Sequence, residues 1–242
     1  MEKNLEEMID RFFKGEIWIM GKYVGYNGPP IPMSYEPDKY LYYVSEAGVT
    51  ILPKGGWAIL DALVPEILKN IEGPIVEIGM GESSTVLADH AHQQGRILYS
   101  CDVKMGGIFN VFEEPLFEEH ICYIGRSEEF IKTFDGVPAV VFIDGEHTYE
   151  TVKMEVDYFL PILAEGGVLF MHDTFPFQER LIQKDDIGCK PGDIYKVRQE
   201  LERNPDIDVL TWPYTALNVG LTMVLKHKPN SERGFWLRNG RV

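Results

Sequence analysis

The chain predicts a mostly parallel, doubly wound α/β sheet, and three observations predict it. From Gly56 onward, short apolar runs alternate with segments of helical spacing. One run, Ile75–Ile78, ends in Gly79-Met80-Gly81-Glu82-Ser83-Ser84 and leads into a helix-like stretch. A second run, Ile97-Leu98-Tyr99-Ser100-Cys101, ends in Asp102, about twenty residues beyond the glycines. Strand, glycine turn, helix, strand and acid in that order make the sheet Rossmann-like.

Three regions follow: 1–55, 56–226 and 227–242. The first opens with a short amphipathic helix (Leu5, Met8, Ile9, Phe12, Phe13). An aromatic stretch follows, whose glycines and prolines prevent a long regular element. Two readings stand for this extension. It is a packing arm that covers the sheet or builds a homo-oligomer, or it is a lid or substrate wall, since aromatics supply area with few rotors. Within 56–226, a helix carrying Ala58, Leu60, Leu63, Ile67 and Leu68 precedes the strand Ile75–Ile78, and Ser84–Gln93 is helical. After Ile97–Cys101 comes a helical region with Phe109, Phe112 and Phe117, then a strand at 120–124 and a helix at 128–134. Ala139–Ile143 is apolar throughout, as for a parallel strand covered on both faces. Tyr149, Val152, Val156, Phe159 and Leu163 recur at helical spacing, and Gly166-Gly167 ends that helix before the strand Val168–Met171. Asp193 is placed to cap a helix running to Glu202. Strands at 208–212 and 219–225, with no helix between them, form a hairpin at the sheet edge.

At 242 residues and 45% apolar, the chain can fill one large α/β domain with an extension. Its formal net charge of −15 argues against a nucleic-acid backbone or an anionic membrane as the main partner. Cys101, Cys122 and Cys189 are odd in number and lack metal-site spacing, so they read as reduced thiols. The N-terminus is unlike a signal peptide and no apolar run approaches membrane-spanning length, so a soluble cytoplasmic protein is expected.

Gly79 and Gly81 let the backbone turn sharply and approach a ligand, while Asp102 can accept both hydroxyl protons of a ribose. A dinucleotide site would prefer a third glycine where Ser84 stands, and no acid beside the pyrophosphate. Glu82 lies within the turn and Glu77 just before it, which opposes a pyrophosphate but suits a cationic sulfonium. S-adenosylmethionine (SAM) therefore fits better than NAD.

A second constellation lies at later strand ends, with Asp144 after the fourth strand and His172-Asp173 after the fifth. If those strands are neighbours, two carboxylates converge beside the cofactor, a site for a hard dication such as Mg²⁺. His147 and His172 are the candidate proton acceptors, since an imidazole titrates near neutral pH. His172 is also a candidate metal ligand.

The segment 74–84 resembles the first motif of class I SAM-dependent methyltransferases. Phe142-Ile143-Asp144-Gly145-Glu146-His147-Thr148-Tyr149, then 160–168 and His172-Asp173, resemble the small-molecule O-methyltransferase branch, including macrolide-sugar and catechol-type enzymes. The resemblance implies a seven-stranded fold, with Gly79 and Gly81 near the methionine portion of SAM and Asp102 on the ribose. It also implies Arg126 and Ser127 beside the adenine, with Asp144 and Asp173 as metal ligands. The expected reaction is methyl transfer to a hydroxyl of a small molecule, a sugar or a phenolic compound. A non-catalytic SAM-binding scaffold and an NAD-dependent oxidoreductase are the alternatives.

Overall fold

The computed structural model describes residues 40–45, 48–53, 57–107, 110–176, 182, 191–212 and 220–226. The expected N-terminal helix, the tail 227–242, Phe109, Cys189 and most of 177–190 lie outside them. The chain forms two compact units, 1–56 and 57–242. In the first, β1 (Tyr40–Ser45) and β2 (Gly48–Pro53) pair antiparallel from Tyr40↔Pro53 to Ser45↔Gly48.

In the second unit, α1 (Ala58–Leu68) precedes β3 (Ile75–Ile78), α2 (Glu82–Gln93), β4 (Leu98–Asp102) and β5 (His120–Ile124). Then come α3 (Ser127–Thr133), β6 (Val140–Ile143), α4 (Tyr149–Ile162), β7 (Val168–His172), α5 (Tyr195–Leu201), β8 (Ile207–Trp212) and β9 (Leu221–Lys226). The seven strands of this sheet run in the order β5-β4-β3-β6-β7-β9-β8. All are parallel except β9, which is antiparallel to both β7 and β8. The closing hairpin thus places its second strand inside the sheet and its first at the edge.

Both faces of the sheet are covered, which explains the unbroken apolar run in β6. Val141 and Ile143 pack with Val152, Val156, Phe159 and Val197 from α4 and α5. Val140 and Phe142 point the other way, onto Leu60, Val64 and Leu68 of α1 and Leu87 and Ala91 of α2. The period-two alternation feeds two cores, so neither set can be polar.

The structure corrects three expectations. Residues 103–107 and 110–119 form turns, bends and irregular backbone, with no helix among them. Gly106 and Gly107 both have φ near +68°, a left-handed turn that helical backbone cannot continue through. Helix α2 begins at Glu82, two residues before the expected Ser84. Asp193 does not cap α5, whose N-cap residue is Ile194. Its Oδ1 instead accepts the Tyr149 backbone N–H at 2.7 Å and so caps α4. Among the described residues, no helix is long and apolar enough to cross a membrane.

Candidate active site

From β3 the chain winds outward to β4 and β5, then returns to build β6 and β7 on the other side. The carboxyl ends of β3 and β6 therefore part around a crevice, the usual ligand position in such sheets. Gly79 leaves β3 beside Asp144, which leaves β6. Asp144 N–H donates to the Ile78 carbonyl at 2.7 Å, and Gly79 N–H donates to the Cys101 carbonyl at 2.8 Å. Gly79 has φ +93°, and a Cβ there would sit 2.0 Å from the Asp144 carbonyl oxygen. The neighbouring strand end, before any ligand, requires this glycine. Gly81 is different: its backbone is extended and a Cβ would meet nothing within 4 Å. That open side is room in which a cofactor can lie against the main chain.

Beneath the turn, Glu77 is fully buried. Its carboxylate accepts hydrogen bonds from Ser83 Oγ (2.7 Å), Ser84 Oγ (2.7 Å) and Ser100 Oγ (2.6 Å). Burial raises its pKa to about 7 although the three hydroxyls pull the other way. Ser84 Oγ also accepts the Gly81 N–H at 3.0 Å. Leu116 N–H donates to His120 Nδ1 at 3.2 Å, so the proton of neutral His120 sits on Nε2 and goes to Ser100 Oγ at 2.9 Å. Burial keeps His120 neutral, with its pKa lowered to about 4. Glu77 and Ser84, read from the sequence as part of the cofactor turn, form its buried brace, and residue 77 points to the α1–α2 face of the sheet.

Asp102 stands at the end of β4. Its Oδ2 accepts Met80 N–H at 2.8 Å and its Oδ1 accepts Lys104 N–H at 3.0 Å. Burial raises its pKa against these bonds. Each oxygen keeps a further lone pair, so the ribose role fits. Gly107 closes over this turn, since a Cβ there would lie 1.8 Å from the Met80 carbonyl oxygen. Gly125 N–H bonds to the Asp102 carbonyl at 2.9 Å, which sets Arg126 and Ser127 close after the end of β5, the neighbour of β4, and near Asp102. Arg126 is exposed and is the N-cap residue of α3. Glu82 is the first residue of α2; burial raises its pKa to about 7, opposed by a hydrogen bond with the Trp57 side chain and aided by the charge of Asp144.

Adjacent β6 and β7 bring the second constellation together as a closed ring of acids and imidazoles. Asp144 Oδ1 lies 3.1 Å from His172 Nδ1 and 3.5 Å from His147 Nε2. Asp173 Oδ2 lies 3.4 Å from His147 Nδ1, and Asp173 Oδ1 lies 3.0 Å from His172 Nδ1. His172 Nδ1 has one proton for two carboxylates. It is hydrogen-bonded to Asp144, while buried Asp173 Oδ1 has no hydrogen-bond partner. Burial opposes charge on both His172 and Asp144, but their attraction wins: the imidazole pKa is raised well above its ordinary value and that of Asp144 falls to about 2. Asp173 has φ 60°, a left-handed conformation uncommon outside glycine. One oxygen of each acid and one nitrogen of His147 lie within 4.8 Å of one another. An orphaned buried oxygen facing a second acid and an imidazole fits a dication. The third donor is His147, not His172.

Sequence reasoning missed the brace of Ser83, Ser100 and His120, although Ser100 is the register partner of Glu77. It also missed Glu155 in α4, which is fully buried with no hydrogen-bond partner on either oxygen. Burial raises the pKa of Glu155 to about 8, only partly offset by Ser127 nearby. Nothing in the helical pattern marked that position, where an acid stands among core residues.

Solved structures share this architecture. Cofactor-bound Rv0187 from MTB superposes with a TM-score of 0.53 at 15% identity, covering 77% of this chain and 83% of its own. SAH-bound Podospora anserina methyltransferase PaMTH1 gives a TM-score of 0.50 at 15% identity, covering 94% and 97%. MycE methyltransferase from the mycinamycin biosynthetic pathway, in complex with Mg and SAH, gives 0.51 at 15% identity, covering 72% of this chain and 50% of MycE. At such identities the likeness is one of fold. Residues 76–174, from β3 through the Asp144–Asp173 ring, match a family model described as a methyltransferase domain. This stretch of the chain is thus similar to a methyltransferase domain, and the sheet that carries it has the fold of these solved structures.

Proposed function

We propose that the protein transfers the methyl group of SAM to a hydroxyl of a small molecule, with a dication held at Asp144 and Asp173. The observation that carries this reading is the adjacency of strand ends: the open backbone at Gly81 follows β3, Asp144 follows its neighbour β6, and buried, incompletely hydrogen-bonded Asp173 follows β7 beyond it. SAM supplies an electrophilic methyl group, and the cation, for which the sequence suggests Mg²⁺, supplies Lewis acidity toward the acceptor oxygen.

The chain's own residues do the positioning. Gly79 and Gly81 shape the turn, the Glu77 brace keeps it rigid, and Asp102 holds the ribose between Met80 and Lys104. Arg126 and Ser127 border the adenine end. His172 keeps its Nδ1 proton between the two acids and orients them, so it is not free to accept another there. His147 is the imidazole left facing both carboxylates. Direct attack on a methyl group needs mainly proximity and alignment, which fixed strand ends provide.

The test is radiolabelled methyl transfer from SAM to a panel of sugars, catechols and macrolide glycosides, with and without divalent cations. Labelled product from at least one hydroxylated acceptor is expected. Release of SAH with no acceptor in the panel labelled, or labelling of nitrogen acceptors alone, would contradict O-methyl transfer.

A further inference from the structure

Resting on the cation-assisted reading above, we propose that the ring selects a first-row transition-metal dication such as Fe²⁺, Co²⁺, Ni²⁺ or Zn²⁺ rather than Mg²⁺, with His147 as its nitrogen ligand. Mg²⁺ takes oxygen donors and keeps much of its water, whereas imidazole suits the later, borderline ions. Among the described residues, the group that could hold an ion comprises two carboxylates and one imidazole, not three acids.

The arrangement around these donors is that of a supported ligand set. Asp173 Oδ1 is buried with no hydrogen-bond partner, its one ion-pair contact being His172 Nδ1 at 3.0 Å, so an ion would complete its shell. His172 Nδ1 hydrogen-bonds to Asp144, the outer-sphere partner that ligating carboxylates ordinarily have. His147 is fixed from outside the ring. A Cβ on Gly192 would lie 2.0 Å from the His147 carbonyl oxygen, and Asp193 holds Tyr149 N–H two residues on. The 191–193 turn therefore grips the backbone on which the imidazole is mounted. At 13% side-chain exposure, His147 sits between acids rather than in bulk solvent.

The experiment uses full-length protein stripped with a chelator and then titrated separately with Co²⁺, Zn²⁺ and Mg²⁺. Calorimetry reads affinity, and the visible Co²⁺ spectrum reads ligand type. Tight Co²⁺ binding with ligand-field bands that Mg²⁺ fails to displace is expected. His147→Ala should weaken Co²⁺ and Zn²⁺ by about 10–100-fold, shift the Co²⁺ bands and leave Mg²⁺ affinity unchanged. His147→Gln, closer in size, guards against a folding artefact and should show the same spectral shift. Since many mixed nitrogen–oxygen sites prefer Zn²⁺, the response of the variants is decisive. Unchanged Co²⁺ affinity and spectrum in both variants, or Mg²⁺ competing on equal terms, would overturn the inference and leave cation assistance standing. No dication binding to the folded wild type would overturn both.

Discussion

Glu77 and Asp173 are both buried carboxylates of one sheet, and the protein treats them in opposite ways. Glu77 receives three hydroxyl hydrogen bonds, and a tautomer-fixed histidine extends the network to β5. Asp173 sits on left-handed backbone and keeps one oxygen without any hydrogen bond. A completely satisfied buried acid is a structural element, because removing it leaves its donors unpaired. An incompletely satisfied one retains capacity for something that arrives later. On the proposed reading, the difference separates the brace of the glycine turn from the end of the crevice that would hold the ion.

Changing the two acids should therefore produce opposite phenotypes. Asp173→Asn should lower methyl transfer by about 10²–10³-fold, the scale of losing an electrostatic group from a reaction centre. Its urea midpoint should stay close to wild type, because Asn tolerates φ > 0. Glu77→Ala should instead cost roughly 3 kcal/mol of stability in urea unfolding, leaving three hydroxyls and a void. If Glu77→Ala kept full stability, or Asp173→Asn unfolded the protein, the division would collapse.

The two glycines sharpen the same contrast on a smaller scale. Gly79→Ala collides with the backbone of β6 and should destabilise the fold by about 2 kcal/mol, within the range for overpacking. Gly81→Ala should melt like wild type yet bind SAM roughly tenfold more weakly, since its methyl group enters the crevice. Differential scanning fluorimetry with and without SAM separates the two outcomes.

Glu155 gives the smallest effect and a pH signature. Its folded pKa of about 8 exceeds the ordinary carboxylate value of 4.5. The unfolded chain therefore releases this proton first, and stability declines as pH rises from 4.5 toward 8. Glu155→Gln should remove that part of the slope and gain roughly 1–2 kcal/mol at pH 8, with little difference near pH 4. Urea midpoints across that range would show parallel curves if the side chain were ionised throughout.

The sheet was legible because its strands are apolar on both faces and its helices repeat at regular spacing. Asp102, Asp144 and His172-Asp173 were legible because strand ends carry ligand chemistry whatever the loops do. The brace was harder to read. It depends on Glu77 and Ser100 sharing a register, and on Ser83 and Ser84 turning inward at the start of α2, neither of which a linear pattern displays. The different places of His147 and His172 were equally hidden, because they depend on where the ring nitrogens lie relative to the two acids. Residues 103–119 looked helical from their phenylalanines, yet paired left-handed glycines dictate turns.

Calorimetric titration of SAM into wild-type protein and Asp102→Ala, with NADH run in parallel, tests the central claim most directly. The account predicts micromolar SAM binding to the wild type, about tenfold or greater weakening in the variant as the ribose contact is lost, and no NADH signal. Absence of SAM binding to folded, ligand-free wild-type protein would contradict it.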